Sequence, residues 1–180
     1  MEFSLNNILE VSKEVKNALK DNHPVVGLES TILTHGFEKP TNYELALETE
    51  NIISSYGVVP ATIALINGKI KVGLSRSELK LLCFNKNIKK LSTSDLSSNI
   101  LKKNSGGTTV AASLFIANLL KIKVFVTGGI GGVHRNFEKN FDISADLVEI
   151  SKSNIFTICS GPKAILDIPK TIENLETLGI

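Results

Sequence analysis

Apolar positions along the chain switch between helical spacing and short unbroken runs, and each switch marks an element. Ile8, Val11, Val15, Ala18 and Leu19 recur at helical spacing among polar residues, which predicts an amphipathic first helix. His23-Pro24 ends it, and Val25-Val26-Gly27-Leu28 is a short buried strand that runs into Glu29-Ser30-Thr31. A second helix opens at Pro40-Thr41, with Thr41 and Glu44 at capping-box spacing, and runs to about Tyr56-Gly57. Residues 61–66 and 69–73 flank Asn67-Gly68, a strong short-range hairpin signal. Ser75 and Glu78 open another capped helix, and residues 88–91 form a strand. Ser105-Gly106-Gly107-Thr108-Thr109 leads into an apolar helix over 110–120, and the strand 123–127 feeds a glycine-rich loop from Gly128 to Arg135. Residues 146–150 read as helical and 154–159 as a buried strand; a last helix starts at Lys163 and runs past Pro169.

Strands alternating with helices predict an α/β fold: three layers, α/β/α, with a mixed, mostly parallel sheet because the hairpin adds an antiparallel pair. No linker or repeat interrupts the pattern, so residues 1–180 read as a single domain. A glycine after a helix ordinarily announces a turn into another element. The ending Leu178-Gly179-Ile180 therefore suggests a domain incomplete at its C-terminus.

Composition narrows the partners. A length of 180 residues suffices for one sizeable core, and 42% hydrophobic with 21% charged residues is the balance of a soluble globular protein. The 20 basic and 18 acidic residues are interspersed and nearly cancel, so no electrostatic footprint for nucleic acid or membrane is expected. The basic cluster from Lys86 to Lys90 is broken by Asn and Ile and reads as a solvated strand entrance. No stretch stays apolar over the roughly 18 residues a membrane helix needs. Met1-Glu2-Phe3-Ser4 lacks the basic and apolar parts of a secretory leader. Cys83 and Cys159 lie outside any metal or redox spacing, Cys159 as a small apolar strand residue, so a reduced, cytoplasmic protein is expected.

Several positions could carry chemistry. Lys163 follows a strand and Ser160-Gly161-Pro162, which puts an amine at the carboxyl edge of the sheet and at a helix start. The positive field of a helix N-terminus, together with desolvation, would favour the neutral, nucleophilic amine. An ordinary surface lysine opening a helix fits the same position. Glu29, at a strand end, suits either a general acid in a dry pocket or a carboxylate that binds loop amides. The segment 105–109 has the form of an anion site, and equally of a threonine helix cap after a turn. The Gly128–Gly132 run fails the dinucleotide fingerprint, since the third glycine position falls on His134 or the second on Ile130. It reads instead as a flexible loop that approaches a ligand or another backbone closely, with His134 and Arg135 as polar groups at its end. Asp142, Ser144 and Asp146 could hold a hard divalent cation, or one aspartate could cap the helix the other joins. His23, His35 and His134 are scattered and lack zinc spacing.

Together these segments resemble one family, the pseudouridine-5′-phosphate glycosidases, related to the indigoidine-synthesis protein A group. The matching stretches are Leu28-Glu-Ser-Thr-Ile-Leu-Thr-His-Gly36, Val59-Pro-Ala-Thr-Ile-Ala64 and Gly68-Lys-Ile-Lys-Val-Gly-Leu74. They continue with Gly106-Gly-Thr-Thr-Val-Ala-Ala112 and Val126-Thr-Gly-Gly-Ile-Gly-Gly-Val-His-Arg135. Phe141-Asp-Ile-Ser-Ala-Asp-Leu147 and Ser160-Gly-Pro-Lys-Ala-Ile-Leu-Asp167 complete the set. The resemblance implies reversible cleavage of the C-glycosidic bond of pseudouridine 5′-phosphate to uracil and ribose 5-phosphate. It implies Lys163 as the imine-forming nucleophile and Glu29 as proton donor. Substrate contacts fall on Lys90, Val110, Ser144, Ala145 and Asp146, and a divalent metal, typically Mn2+, on Asp142. It further implies a homotrimer and a longer chain, whose continuation supplies another strand, further helices and a substrate-binding asparagine. Two alternatives stand beside it: a related enzyme acting on another base, or a truncated, inactive fragment that binds phosphosugar.

Overall fold

The computed structural model describes residues 7–180; the segment Met1 to Ser4, read above for a leader, lies outside them. The first element differs from expectation. Leu9–Val11 is a strand, β1, paired parallel to β4 (Lys69–Val72), and helix α1 (Lys13–Lys20) begins only after Ser12, whose hydroxyl accepts from the Val15 amide. Ile8 and Val11 mimic a helical stripe because strand and helix meet there. Strand β2 (Val25–Leu28) follows, then a π-helical turn over Ile32–Gly36. Helix α2 (Thr41–Ser55) has Pro40 at its cap position and lacks the side-chain capping bond expected of Thr41.

β3 (Val59–Ile66) and β4 form the expected hairpin, with Asn67 and Gly68 both at positive φ, as a tight hairpin turn needs. Helix α3 (Arg76–Phe84) carries the expected Ser75–Glu78 capping box. After β5 (Lys89–Leu91) come a 3-10 turn and α4 (Leu96–Leu101), which the hydropathy pattern did not announce. The Gly-Gly-Thr segment is itself a short buried strand, β6 (Gly106–Thr108), and α5 (Val110–Leu119) follows it directly. Then come β7 (Val124–Val126), α6 (Phe137–Asn140), α7 (Ala145–Lys152), β8 (Phe156–Ile158) and α8 (Ile168–Thr177).

The strands form one mixed, mostly parallel sheet, ordered β1-β4-β3-β2-β7-β8, with β6 on β3 and β5 on β6. β3 sits at its centre and shows why both faces are covered. Ala61, Ile63 and Leu65 join a core with Val15 of α1, Leu114 of α5 and Leu147 of α7, while Ala64 and Ile66 pack with Leu82 of α3. That alternation is the period of two of a strand buried on both sides, and it makes the three layers. Among the described residues no helix is long and apolar enough to cross a membrane.

One topological detail positions the site. β2 runs parallel to β3 and β6 antiparallel to it, so the two approach from opposite directions. Their carboxyl ends meet: the Ser30 amide donates to the Thr108 carbonyl (3.2 Å), and the hydroxyls of Ser30 and Thr108 each donate to the Ile63 carbonyl at 2.6 Å.

Candidate active site

Around that meeting point, the segments following β2, β5, β6, β7 and β8 wall a cavity of about 240 Å3. Strand register places its acid. Leu28 lies opposite Val126 in the β2–β7 pair, so one residue further on Glu29 and Thr127 fall side by side. Both are buried, at 6% and 8% exposure, and the Thr127 hydroxyl donates to Glu29 Oε1. Burial pushes the Glu29 carboxyl above the usual carboxylate value; the Thr127 bond, the positive charge of Lys163 and the Ile32 amide oppose this, and the Asp146 charge reinforces it. A carboxyl biased toward its protonated form is suited to deliver a proton.

Lys163 reaches the same cavity by a different route from the expected one. It is exposed and lies in an irregular segment, and the helix begins five residues later at Ile168, with Asp167 as cap. It therefore neither opens a helix nor lies buried, against what the sequence suggests. What holds it is a continuation of the β7–β8 ladder past both strand ends. The Ile130 amide donates to the Gly161 carbonyl (3.1 Å) and the Lys163 amide to the Ile130 carbonyl (3.0 Å). Gly161 makes this turn at φ 112°, a conformation that excludes side chains. The preceding strand is not buried as expected either: Phe156 is 73% exposed, Ile158 47%, and Cys159 half-buried; Phe156 and Ile158, two apart, stand on one face of the sheet that is open there among the described residues.

Asp146 lines the cavity, yet its oxygens are already engaged. It is 4% exposed and accepts from the Ala111 amide (2.8 Å) at the start of α5 and from the Gly131 amide (2.7 Å) of the glycine loop. Neither aspartate caps α7; Ser144 does, accepting from the Asp146 amide at 3.2 Å. Gly131 must be glycine here, since a Cβ would overlap the Ser144 hydroxyl. The loop does make a close approach, but to the side chains of Ser144 and Asp146.

The anion-site reading of 105–109 contracts to the first turn of α5. Thr109 caps it by accepting from the Ala112 amide (3.3 Å), and Asp146 takes the Ala111 amide. Among the described residues the Val110 amide has no protein acceptor, and Val110 borders the cavity. Lys90 and Ser144 also border it, as do Ser92 and His134. Ala145 and Asp142 do not. Ser92 and Thr127 escaped the sequence reading. Thr127 was legible as a strand end, but its role depends on parallel register, which has no local signal.

Asp142 sits in the loop before α7, exposed, with Oδ2 3.9 Å from His134 Nδ1. No three His, Cys, Asp or Glu side chains gather into a metal-holding group among the described residues. A lone solvent-facing carboxylate is a donor set for a hard divalent cation that keeps most of its water, and unlike a zinc site. A cavity of about 370 Å3 lies elsewhere, beside β1 and β4, but Lys71 there is paired with Glu10 and, at 3.0 Å, with Glu78.

A mixed α/β sheet that brings a buried carboxyl and a lysine together beyond its strand ends defines an acid–amine site on an α/β scaffold. The chain belongs to the family described as Indigoidine synthase A like protein, which matches residues 14–180. Pseudouridine-5′-phosphate glycosidases of Petrotoga mobilis and Caldanaerobacter subterraneus subsp. tengcongensis are 55% and 52% identical to it over 172 and 176 residues. These matches take in 96% and 98% of the chain but 56% and 57% of the relatives, so the chain spans just over half their length. Among solved structures, the prealnumycin C-glycosynthase AlnA in complex with ribulose 5-phosphate superposes with a TM-score of 0.87 at 40% identity. An indigoidine synthase A-like protein from Thermotoga maritima gives 0.86 at 35%; each superposition covers 96% of this chain and 56% of the other.

Proposed function

We propose that the chain carries the acid and the nucleophile of a pseudouridine-5′-phosphate glycosidase, which reversibly splits the C-glycosidic bond to give uracil and ribose 5-phosphate. The observation that supports this best is the pairing of buried Glu29 with Lys163 on one cavity. The relatives' names and a structural neighbour holding a pentulose phosphate agree with it. A C-glycoside has no leaving oxygen to protonate, so the two-carboxylate scheme of ordinary glycosidases does not serve. In this reading the neutral Lys163 amine displaces O4′ from C1′, so that the C1′–O4′ bond breaks, the ribose ring opens and a proton of the amine passes to the freed 4′-oxygen. The nitrogen lone pair then expels the base carbon, which takes a proton from Glu29, and water hydrolyses the imine left on C1′.

The Val110 amide and the Lys90 ammonium would hold the phosphate, with Ser144 and Asp146 shaping the sugar side and Ala145, which does not border the cavity, serving only as the backbone link between them. Asp142, outside the cavity but beside the cavity-lining His134, would hold Mn2+ or a similar cation through its carboxylate, and such an ion would supply positive charge at the cavity's margin. A cytoplasmic homotrimer is the expected setting, and sedimentation of the purified chain reads its oligomeric state. A neighbouring C-glycosynthase makes a C-glycoside of another base the second reading, which product assays against several bases would separate.

Borohydride trapping with ribose 5-phosphate tests the proposal. Wild type should acquire one reduced sugar-phosphate adduct on the peptide containing Lys163, and Lys163→Ala none. Glu29→Gln should still trap sugar while losing uracil release. An adduct that survives Lys163→Ala would remove the lysine from its role.

A further inference from the structure

We propose that Thr127 is a positioning residue for the proton donor, fixing Glu29 through its Oε1 so that the other carboxyl oxygen is presented to the substrate cavity. The parallel register of β2 on β7 puts the two residues side by side, and the Thr127 hydroxyl donates to Glu29 Oε1 across 98 residues of sequence. Thr127 is itself held, because its amide donates to the Ile158 carbonyl at 3.0 Å. The same β7–β8 pairing, continued through Ile130 and Gly161, carries the Lys163 backbone. One ladder thus sets both the donor that orients the acid and the start of the nucleophile's side chain.

The wall behind this pair is apolar. A second cavity of about 260 Å3 shares Glu29 with the first and is lined by Ile32, Leu33, Ala46 and Val126, with only the hydroxyls of Thr49 and Thr127 besides Glu29. Among the described residues no other charged group lines that side, so with the Thr127 hydroxyl gone the carboxyl would lose the side-chain hydrogen-bond donor it has there. On the substrate side the charged and titratable groups bordering the cavity are Lys163 from the loop after β8, Asp146 from α7, Lys90 from β5 and His134 from the glycine loop. A bond donated to a carboxylate stabilises the charged form. Removing it must therefore raise the pH at which Glu29 ionises, and must also let the side chain turn.

This inference rests on Glu29 being the acid of the proposed reaction, and its test reads the hydrogen bond apart from turnover. Carbon-13 carboxyl NMR of the 180-residue chain, with the Glu29 signal assigned by its loss in Glu29→Gln, gives the titration midpoint directly. In Thr127→Val, nearly isosteric but without the donor, the midpoint should move up by about one pH unit, the effect of losing one hydrogen bond to a charged group. Thr127→Ser keeps the donor with less packing and should titrate as wild type. Where uracil release is measurable, Thr127→Val should move its alkaline limb upward and lower kcat about tenfold with little change in KM, and Thr127→Ser should restore both. An unmoved midpoint in Thr127→Val, or a Thr127→Ser variant that titrates like it, overturns the inference. A chain that shows the midpoint shift yet traps no sugar leaves Thr127 orienting Glu29 and counts against the glycosidase reading instead.

Discussion

Asp146 carries two demands in one side chain. It borders the cavity, yet both its carboxylate oxygens accept backbone amides, one from α5 and one from the glycine loop. Hydrogen bonds to a buried charged group contribute about 1.5–3 kcal/mol each, and an amide nitrogen turned toward a backbone donor forfeits one of them. Asp146→Asn should therefore lower unfolding free energy by about 2–3 kcal/mol, seen as an earlier urea midpoint with unchanged slope. If the substitution left the midpoint alone, the two amide bonds would not be holding the loop. The sequence offered Asp146 as a ligand or a helix partner, and the residue proves to be a cross-link between segments 35 and 15 positions away. Nothing in a local pattern distinguishes a carboxylate aimed at a metal from one aimed at two amides.

Elements were legible where a local device sets them. The Asn67-Gly68 turn and the Ser75–Glu78 box are read from adjacent side chains, and both are present. β1 was hidden because its three residues abut a helix in phase with its own apolar stripe. β8 was misjudged for the opposite reason. An apolar run looks alike whether the sheet face it stands on is covered or open, and the face of β8 that carries Phe156 and Ile158 is open among the described residues. These side chains stand in solvent on a strand whose one neighbour among the described residues is β7, an arrangement that natural sheets usually blunt with charge. Phe156→Lys combined with Ile158→Lys should lower self-association of this chain in light scattering while leaving Tm within a few degrees, since surface substitutions seldom cost more than about 0.5 kcal/mol. A fall in Tm without any change in scattering would mean that those side chains are structural.

At the scale of the molecule, two glutamates, one buried (Glu29) and one half-buried (Glu50), set a pH dependence. Burial is the leading cause that raises both Glu29 and Glu50 above the usual value of 4.5, Glu50 being partly offset by its bond from Thr62 and the charge of Arg76. A carboxyl raised on folding contributes stability fully below its unfolded value and loses it as pH rises through its folded value. Glu29→Gln and Glu50→Gln should each raise Tm at pH 8 and leave it unchanged at pH 4, in thermal melts. Pairing runs the other way at two further carboxylates: Lys71 holds Glu10 below its usual value, and, against the opposing effect of burial, the Ser75 amide and hydroxyl, helped by Lys71, hold Glu78 below its own, so that contribution is lost as pH falls through their folded values. The fold class was readable because alternating strands and helices admit few layered solutions. The site was readable only through long motifs, because its parts meet by strand register and by two strands arriving head to head. That long reach has a consequence for how the protein is made. Glu29 leaves the ribosome early, but Thr127 and Lys163 emerge late, and β8 must dock before either finds its place. A growing chain therefore cannot set the acid beside the amine until β8 has emerged and paired with β7.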